Sequence, residues 1–319
     1  PQMVFIDSTN LCNFSCRFCP TGDSDLLKSM NIPRGSMDSA MFSTVIDQLQ
    51  AFPEKIPVLY LQAYGEPLLN EDIAEMISLA KQANIAHSVQ LITNGSLLSK
   101  EKSITLLEAG LDLIIISVEH VTPEGYKELT GGFDDYELIR DNTATLYREK
   151  VERNNPLLVY AKILNVQLTG KQIGKFLNDF EPISDITNIE YPVGWSNSKV
   201  KDFTMGANTV FTIHGTAKLR KTRTICPSPF STMLITFDGF VSPCCVDWSR
   251  KAVVGTINED NLTKIWNGPA LNKLRNTFIA GEKSKLPACA VCHYMQSFTA
   301  DNDLDDCREQ LARIYEKTS

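Results

Sequence analysis

The first two thirds of the chain alternate short apolar runs with helical patterns, and this alternation restricts the fold more than any other feature. Six runs rich in Val, Ile, Leu and Tyr predict strands at residues 4–8, 57–63, 87–93, 111–118, 157–166 and 187–193. Between them, apolar residues recur at helical spacing, as in Ile73, Met76, Ile77 and Ala80. This alternation predicts a parallel α/β sheet covered by crossover helices, and six units favour a partial barrel over a closed eightfold one.

The sequence changes character after about residue 200, where Gly, Pro, Thr and Cys become frequent. The stretch TICPSPFSTMLITFDGFVSPCCVDW predicts a hairpin that turns at Asp238 and Gly239. Short helices are predicted in NLTKIWN and PALNKLRNTFIAG, and the acidic tail also has a helical pattern. We therefore expect two domains, residues 1–205 and 206–319, that pack together because no low-complexity linker separates them.

Composition excludes several classes of protein. The 319 residues are 43% apolar, which is enough for a substantial core, and the net charge of −7 disfavours a nucleic-acid partner. The sequence contains neither an apolar run long enough to cross a membrane nor a secretory signal pattern at its start, so no membrane association is expected. The nine cysteines lie at short spacings, which is typical of metal binding in a reducing compartment, and we expect a cytoplasmic protein.

Three of the cysteines follow the first predicted strand in the segment STNLCNFSCRFCP. Cys12, Cys16 and Cys19 have the spacing CxxxCxxC. A structural zinc site normally takes four protein ligands, and no histidine or fourth cysteine lies nearby. An iron-sulfur cluster is held by cysteine thiolates and tolerates one iron left open for another molecule, so this spacing favours a cluster over zinc.

At these residues the chain resembles the radical S-adenosylmethionine (SAM) superfamily, in which a CxxxCxxC loop follows the first strand of a partial (β/α)6 TIM barrel. The resemblance implies that Cys12, Cys16 and Cys19 hold a [4Fe-4S] cluster whose open iron binds SAM. It further implies that an electron from the cluster, delivered by a donor such as flavodoxin or ferredoxin, cleaves SAM to a 5′-deoxyadenosyl radical.

Further motifs at strand ends extend the resemblance. The turn Gly65-Glu66-Pro67 matches the family's GGEP motif, with Tyr64 in place of the first glycine, and in the family this segment contacts the SAM amino group. Polar residues after the third and fourth strands are implied to lie near the SAM ribose or methionine, although each could instead serve loop hydrogen bonding or helix capping. The predicted SAM-binding residues are Phe18, Gly65, Glu66, Pro67, Asn94, Ser117 and Glu119.

The second cysteine set resembles the SPASM/Twitch auxiliary domain of the same family. Cys226 is followed by Gly239, Cys244 and then the pair Cys289 and Cys292. The resemblance implies one auxiliary [4Fe-4S] cluster held by Cys226, Cys244, Cys289 and Cys292, with a zinc ribbon as the competing interpretation. Phe298 stands where a full SPASM domain has a further cysteine, and Cys245 and Cys307 remain outside the set.

The reaction depends on Cys245, which is adjacent to a predicted ligand. Its position is similar to that of the hydrogen-atom donor of radical SAM epimerases in aminoglycoside pathways, which favours epimerisation of a small sugar or aminoglycoside with Cys245 as catalytic residue. A small buried packing residue is the alternative interpretation of Cys245. The alternative functions are an alcohol dehydrogenase that passes an electron to the auxiliary cluster, a peptide maturase and a non-enzymatic electron carrier.

The substrate is not specified by any motif. The fifth and sixth strands and the residues after them carry five side chains that can face a polar ligand, or solvent and packing contacts instead. These are Lys162, Asn165, Glu190, Trp195 and Asn197.

Overall fold

The computed structural model describes residues 1–206, 211–215, 218, 223–298 and 302–315. The predicted second domain therefore includes segments that lie outside the described residues. The strands are β1 (Met3–Ile6), β2 (Ile56–Tyr60), β3 (Ala86–Thr93), β4 (Leu113–Val118), β5 (Leu158–Leu164), β6 (Ile186–Glu190), β7 (Thr232–Ile235), β8 (Phe240–Ser242) and β9 (Gly255–Thr256). The helices are α1 (Ser24–Ser29), α2 (Ser39–Leu49), α3 (Ile73–Ala83), α4 (Lys100–Glu108), α5 (Pro123–Thr130), α6 (Tyr136–Glu152), α7 (Gly170–Phe180), α8 (Ser228–Ser231), α9 (Leu262–Asn267), α10 (Pro269–Ile279) and α11 (Arg308–Tyr315).

The strands form one sheet in the order β6-β5-β4-β3-β2-β1-β7-β8-β9. Every neighbouring pair from β6 to β7 is parallel, whereas β8 and β9 join in antiparallel orientation. The six strands predicted in the first 200 residues are all present, and their ends differ from the prediction by at most three residues. Because β6 forms one edge of the sheet, the barrel is partial, which confirms the expected fold class.

The pairing of β1 with β7 is a feature that the sequence analysis did not predict. Met3 lies opposite Thr232 and Ile6 opposite Ile235. The expected hairpin is present, since β7 and β8 pair on either side of Asp238 and Gly239. Gly239 has a φ of +87°, a conformation that glycine adopts without steric cost. The carboxyl-terminal part of the chain therefore continues the barrel sheet.

The two faces of the barrel sheet differ in polarity. Val4 of β1 and Ile114 of β4 are fully buried, and the apolar stripe of α3 is buried as predicted. The opposite face becomes polar toward the carboxyl ends of the strands, where Ser117, Lys162 and Asn188 lie in register. In barrel enzymes the active site is formed by residues at this end of the strands. The loops that follow the strands are therefore the expected location of the site.

A second, smaller core lies around the carboxyl-terminal cysteines. Its buried residues include Ile225, Cys226, Leu274 and Phe278, with Met295 packed beside them. This core joins α10 to the segments that carry the cysteines. Among the described helices, none combines the length and the apolar character that a membrane span requires.

Candidate active site and cluster sites

The first three cysteines lie in a loop that leaves the carboxyl end of β1. Two backbone hydrogen bonds attach this loop to the end of α5, from Ser15 N to Thr130 O (2.8 Å) and from Arg17 N to Leu129 O (2.9 Å). The Phe14 ring packs against Phe133 at a centroid distance of 4.6 Å. The loop is thus fixed on both sides of Cys16.

The three thiols have the surroundings that a cluster requires. They lie close enough for their charges to interact. Burial raises the pKa of Cys12 to about 12, although a hydrogen bond from Phe14 N partly opposes this effect. A thiol with such a pKa loses its proton on binding a metal. Burial also raises the pKa of Cys19, although Thr21 and Gly22 donate hydrogen bonds that stabilise its thiolate.

Among the described residues, no group of three or more His, Cys, Asp or Glu side chains converges on a single metal ion. The thiolates of an iron-sulfur cluster bind different iron atoms and need not meet at one point. Three thiols with backbone N–H donors are a donor set that fits such a cluster, and the assignment of Cys12, Cys16 and Cys19 as its ligands stays a prediction.

The turn after β2 packs directly on the cysteine loop. A Cβ atom at Gly65 would lie 2.2 Å from Thr9 O and 2.4 Å from Leu11 O, and Glu66 N donates to Leu11 O at 2.8 Å. Only glycine permits this approach, because the neighbouring atoms are backbone. The glycine of the Gly-Glu-Pro turn therefore holds the start of the cysteine loop against β2.

Glu66 connects this turn to the end of β3. Its buried carboxylate accepts hydrogen bonds from Thr93 Oγ1 (2.6 Å) and Asn94 N (2.8 Å). The Asn94 side chain donates in turn to Asn13 Oδ1 at 2.9 Å, inside the cysteine loop. Pro67 begins a short 3-10 helix, Pro67–Leu69. The structure thus brings these predicted residues together through protein contacts, and their contact with SAM stays a prediction.

A pocket that is open to solvent on one side lies at the carboxyl ends of β4, β5 and β6. Three residues predicted to bind SAM and three of the polar or aromatic candidates from the fifth and sixth strands meet there. These lining residues are Phe18, Ser117, Glu119, Lys162, Glu190 and Trp195. The pocket joins the cysteine loop to the polar face of the barrel.

The pocket contains a buried ion pair. Lys162 Nζ lies 2.7 Å from Glu190 Oε2, and His214 Nδ1 lies 3.3 Å from Glu190 Oε1. Burial opposes ionisation of Glu190, but Lys162 and His214 outweigh it and lower the Glu190 pKa to about 2. Burial raises the pKa of Glu119 to about 7. The positive charge of Lys162 lowers this pKa and the negative charge of Glu190 raises it, so these two effects partly offset each other. At neutral pH the pocket thus holds one permanent carboxylate and one that titrates.

The second cysteine set lines a separate, narrow and largely apolar pocket. All four predicted ligands, Cys226, Cys244, Cys289 and Cys292, contribute to its wall. Burial raises the pKa of Cys226 to about 12, and the backbone N–H groups of Ser228, Val246 and Met295 act against burial by lowering the pKa of Cys226, Cys244 and Cys292 respectively. Four facing thiols with backbone donors suit an iron-sulfur cluster, whose sulfurs are tuned by such bonds.

Cys245 lies between this pocket and the barrel. Its Sγ donates to Tyr294 Oη at 3.8 Å, and Tyr294 lines the auxiliary pocket. The pKa of Tyr60 is raised mainly by its burial and secondly by the charge of the Cys245 thiolate. Because this electrostatic effect requires proximity, the Cys245 thiol also lies near the polar face of β2. Burial raises the Cys245 pKa to about 11, which keeps the thiol protonated at neutral pH. Cys307 lies in the turn before α11, outside the lining of both pockets.

Sequence reasoning missed three residues near these sites. Tyr60 ends β2 on the polar face, Tyr294 follows Cys292 by two residues, and Asn13 lies between Cys12 and Cys16. Tyr294 and Asn13 could have been found from their positions beside predicted ligands. Tyr60 shows no signal of its own, since tyrosine is common in buried strands.

Comparisons with known proteins agree with this geometry. The Radical SAM superfamily model matches residues 6–164, and the SPASM model, described as an iron-sulfur cluster-binding domain, matches residues 226–293. The S-adenosyl-L-methionine-dependent 2-deoxy-scyllo-inosamine dehydrogenase of Niallia circulans is 22% identical over 294 residues, which cover 92% of each chain.

Two solved structures are similar in fold. The structure of BtrN in complex with AdoMet and 2-DOIA matches with a TM-score of 0.58 and 18% identity, covering 94% of this chain and 97% of that one. The structure of Streptococcus suis SuiB bound to S-adenosylmethionine matches with a TM-score of 0.63 and 15% identity, covering 93% of this chain and 71% of that one. The chain therefore belongs to the radical SAM superfamily, as an enzyme that uses SAM and [4Fe-4S] clusters and carries a SPASM iron-sulfur cluster-binding domain.

Proposed function

We propose that this protein is a SAM-dependent dehydrogenase of a small hydroxylated substrate, of the cyclitol or amino-sugar type. The observation that carries the proposal is the Lys162–Glu190 pair in the pocket beside Phe18, because it offers an ammonium and a carboxylate to hydroxyl and amino groups. The similarity to the Niallia circulans dehydrogenase, which extends over nearly the whole of both chains, supports the same reaction and a role in antibiotic biosynthesis.

The polar and the apolar residues of the pocket have different roles in this reaction. When bound, SAM and its cluster supply the radical that removes a hydrogen atom from the substrate, and the auxiliary cluster supplies an electron acceptor. Glu190 is ionised at neutral pH and accepts a hydrogen bond from a substrate hydroxyl or ammonium group. Glu119, whose pKa is about 7, is suited to receive the hydroxyl proton, since a general base works best near the operating pH. Phe18, Phe203 and Val246 form apolar walls that exclude water.

The proposal includes the assignments made from the sequence. We propose Cys12, Cys16 and Cys19 as ligands of the SAM-binding cluster, and Cys226, Cys244, Cys289 and Cys292 as ligands of the auxiliary cluster. The proposed domains are residues 1–205 and 206–319. A flavodoxin or ferredoxin is proposed as electron donor, and a cytoplasmic location follows from the need of thiolate-held clusters for a reducing compartment.

Epimerisation is the second candidate function, and one observation favours it. The Cys245 thiol is protonated at neutral pH and lies near both Tyr60 on the polar face of the barrel and Tyr294 at the auxiliary pocket. A protonated thiol there is placed to return a hydrogen atom to a substrate radical. The sequence alone ranks this function first, and the similarity to a dehydrogenase over the whole chain reverses the order.

The experiment that separates the two functions is an anaerobic turnover in deuterated water. The reconstituted protein is incubated with SAM, dithionite and a panel of aminocyclitols and sugars, and the products are analysed by mass spectrometry. A product that has lost two hydrogens and gained no carbon-bound deuterium supports the dehydrogenase. A product that has gained one carbon-bound deuteron supports epimerisation and contradicts the dehydrogenase.

Cys245→Ala is the matched variant for this experiment. A dehydrogenase keeps its product in this variant, because oxidation needs no thiol. An epimerase continues to form 5′-deoxyadenosine but loses its product. Absence of 5′-deoxyadenosine from the native protein with every substrate would contradict both functions.

A further inference from the structure

Three consecutive residues after β6 contact three of the four segments that carry the predicted cluster ligands, those of Cys19, Cys244 and Cys289. These residues, 195–197, are called the bridging segment. Trp195 lines the pocket at the ends of β4 to β6, and the next residue, Ser196, lines the auxiliary pocket. Two residues adjacent in sequence therefore line different pockets.

Each residue of the bridging segment is hydrogen-bonded to a different cysteine-bearing segment, and Ser196 uses both its hydroxyl and, at 3.4 Å, its backbone N. Trp195 Nε1 donates to Phe18 O at 3.0 Å, Ser196 Oγ donates to Val246 O at 2.7 Å, and Asn197 N donates to Ala288 O at 2.8 Å. Phe18 precedes Cys19, Val246 follows Cys245, and Ala288 precedes Cys289. Every acceptor is thus the backbone carbonyl of a residue within two positions of a predicted ligand.

Further contacts hold the bridging segment in one conformation. Trp248 Nε1 donates to Ser196 O at 2.9 Å, and Ser198 Oγ donates to Trp195 O at 2.5 Å. The Trp195 ring lies 6.2 Å from the Tyr64 ring, measured between centroids. Asn197 has a φ of +51°, a left-handed conformation that asparagine adopts more readily than most residues. Ser196 is 3% exposed, so its backbone has little freedom to move independently of its neighbours.

A continuous path of contacts thus joins two cysteine segments. It runs from Ala288 O to Asn197 N, along the backbone to Trp195, and from Trp195 Nε1 to Phe18 O. Contiguous hydrogen bonds between rigid elements are a physical basis for energetic coupling between two sites.

We propose that the bridging segment couples the two cluster sites, so that SAM binding at the barrel site depends, through the hydrogen bond from Trp195 to Phe18, on an intact auxiliary site. Trp195 is a positioning residue in this account, because it acts through the cysteine loop. The coupling concerns cofactor binding and does not depend on whether the enzyme oxidises or epimerises its substrate.

A double-mutant cycle tests the coupling. Trp195→Phe keeps an aromatic ring but removes the indole N–H, and Cys289→Ala removes one predicted auxiliary ligand. The SAM dissociation constant is measured by anaerobic equilibrium dialysis for the native protein, both single variants and the double variant, after reconstitution with iron and sulfide. We expect Cys289→Ala to weaken SAM binding about 5-fold or more in the native background and less than about 2-fold in the Trp195→Phe background.

Trp266→Phe is the control for the loss of an indole. Trp266 lies in α9, where its ring stacks on Arg275, and it lines neither of the two pockets. The effect of Cys289→Ala should remain undiminished in this background. An equal effect of Cys289→Ala in the native and Trp195→Phe backgrounds, or no effect in either, would overturn the proposal.

A second measurement keeps the test valid if one of these variants fails to fold. Ser196→Ala removes the hydroxyl that binds Val246 O at 2.7 Å and leaves only the longer bond of 3.4 Å from Ser196 N. Native mass spectrometry of partially reconstituted protein counts chains with no cluster, one cluster and two clusters. Coupling predicts that one-cluster chains are scarce in the native protein and increase in Ser196→Ala, whereas an unchanged distribution would contradict it. Neither measurement needs a substrate. A result that contradicts the coupling is therefore distinguishable from a result that contradicts the proposed dehydrogenase activity.

Discussion

The Lys162 ammonium lies 2.7 Å from the Glu190 carboxylate, inside the pocket that Phe18 of the first cysteine loop also lines. The Glu190 side chain is 6% exposed and that of Lys162 is 22% exposed. Two charges in such a place depend on each other, because either one alone would be buried without its main counter-charge.

The first prediction concerns this pair. Lys162→Met leaves Glu190 without its main counter-charge, and we expect the free energy of unfolding to fall by about 3 kcal/mol or more in denaturant titrations at pH 7. Lys285→Met is the control, since Lys285 makes an ion pair with Glu282 at the same distance of 2.7 Å but both side chains are largely exposed. This control should lose less than about 1 kcal/mol. Equal losses in the two variants would contradict the prediction.

The second prediction concerns pH. Asp7 is fully buried, its Oδ1 accepts a hydrogen bond from Tyr64 N at 3.1 Å, and burial raises its pKa to about 7. The folded protein thus keeps a proton that the unfolded chain releases, and stability must fall as the pH rises toward 7. Because one pH unit is worth about 1.4 kcal/mol and the folded-state carboxyl is half ionised at pH 7, Asp7 should cost about 2 kcal/mol between pH 5 and pH 7.

Asp7→Asn removes this titration. We expect thermal unfolding of the variant to depend less on pH than that of the native protein, and the variant to gain relative stability as the pH rises. Asp134→Asn, at an exposed position, serves as control and should keep the native pH dependence. The same pH slope in Asp7→Asn and the native protein would show that Asp7 is ionised in the fold.

The third prediction concerns the Gly-Glu-Pro turn. Gly65→Ala places a Cβ against the carbonyl oxygens of Thr9 and Leu11, which belong to the backbone and cannot rotate away. The cysteine loop should shift, and the reconstituted variant should lose the iron of one cluster and its SAM binding. Gly174→Ala in α7 is the matched control, because a Cβ there meets no atom within 4 Å. That variant should keep its iron and gain up to about 1 kcal/mol of stability.

The fourth prediction asks how Asn94 acts. Its Nδ2 binds Asn13 Oδ1 at 2.9 Å, so Asn94→Ala and Asn13→Ala should weaken SAM binding to a similar extent. If Asn94 acts only through the cysteine loop, the double variant is no worse than either single variant. A larger loss in Asn94→Ala than in Asn13→Ala, with additional loss in the double variant, would indicate direct contact between Asn94 and SAM.

The parts of the fold that the sequence predicts are those encoded locally. The Leu-Ile-Ile-Ile run of β4 and the apolar stripe of α3 depend on residues within one element, and both are found where expected. The pairing of β1 with β7 joins residues more than 200 positions apart, and no local pattern specifies the register between them. The prediction of six strands was therefore accurate, while the continuation of the sheet was missed.

The residues of the site also fall into those that local sequence predicts and those that depend on contacts between distant segments. Cysteine spacing and the Gly-Glu-Pro turn carry their own sequence signal, but the hydrogen bond from Trp195 to Phe18 does not. From the sequence, Trp195 and Asn197 are possible ligand contacts because they follow the sixth strand. The structure shows that both also bind the backbone of cysteine segments, a role that depends on how distant loops meet.

The position of β7 beside β1 also determines when the protein can finish folding. A growing chain exposes β1 as a sheet edge until residues 232–235 leave the ribosome, which at ordinary synthesis rates takes roughly 10 to 50 seconds. An uncovered parallel edge invites pairing with other chains during that interval. A chain truncated before β7 should therefore be recovered mainly as aggregate, since the first strand of the barrel receives its second partner only from the carboxyl-terminal part of the sequence.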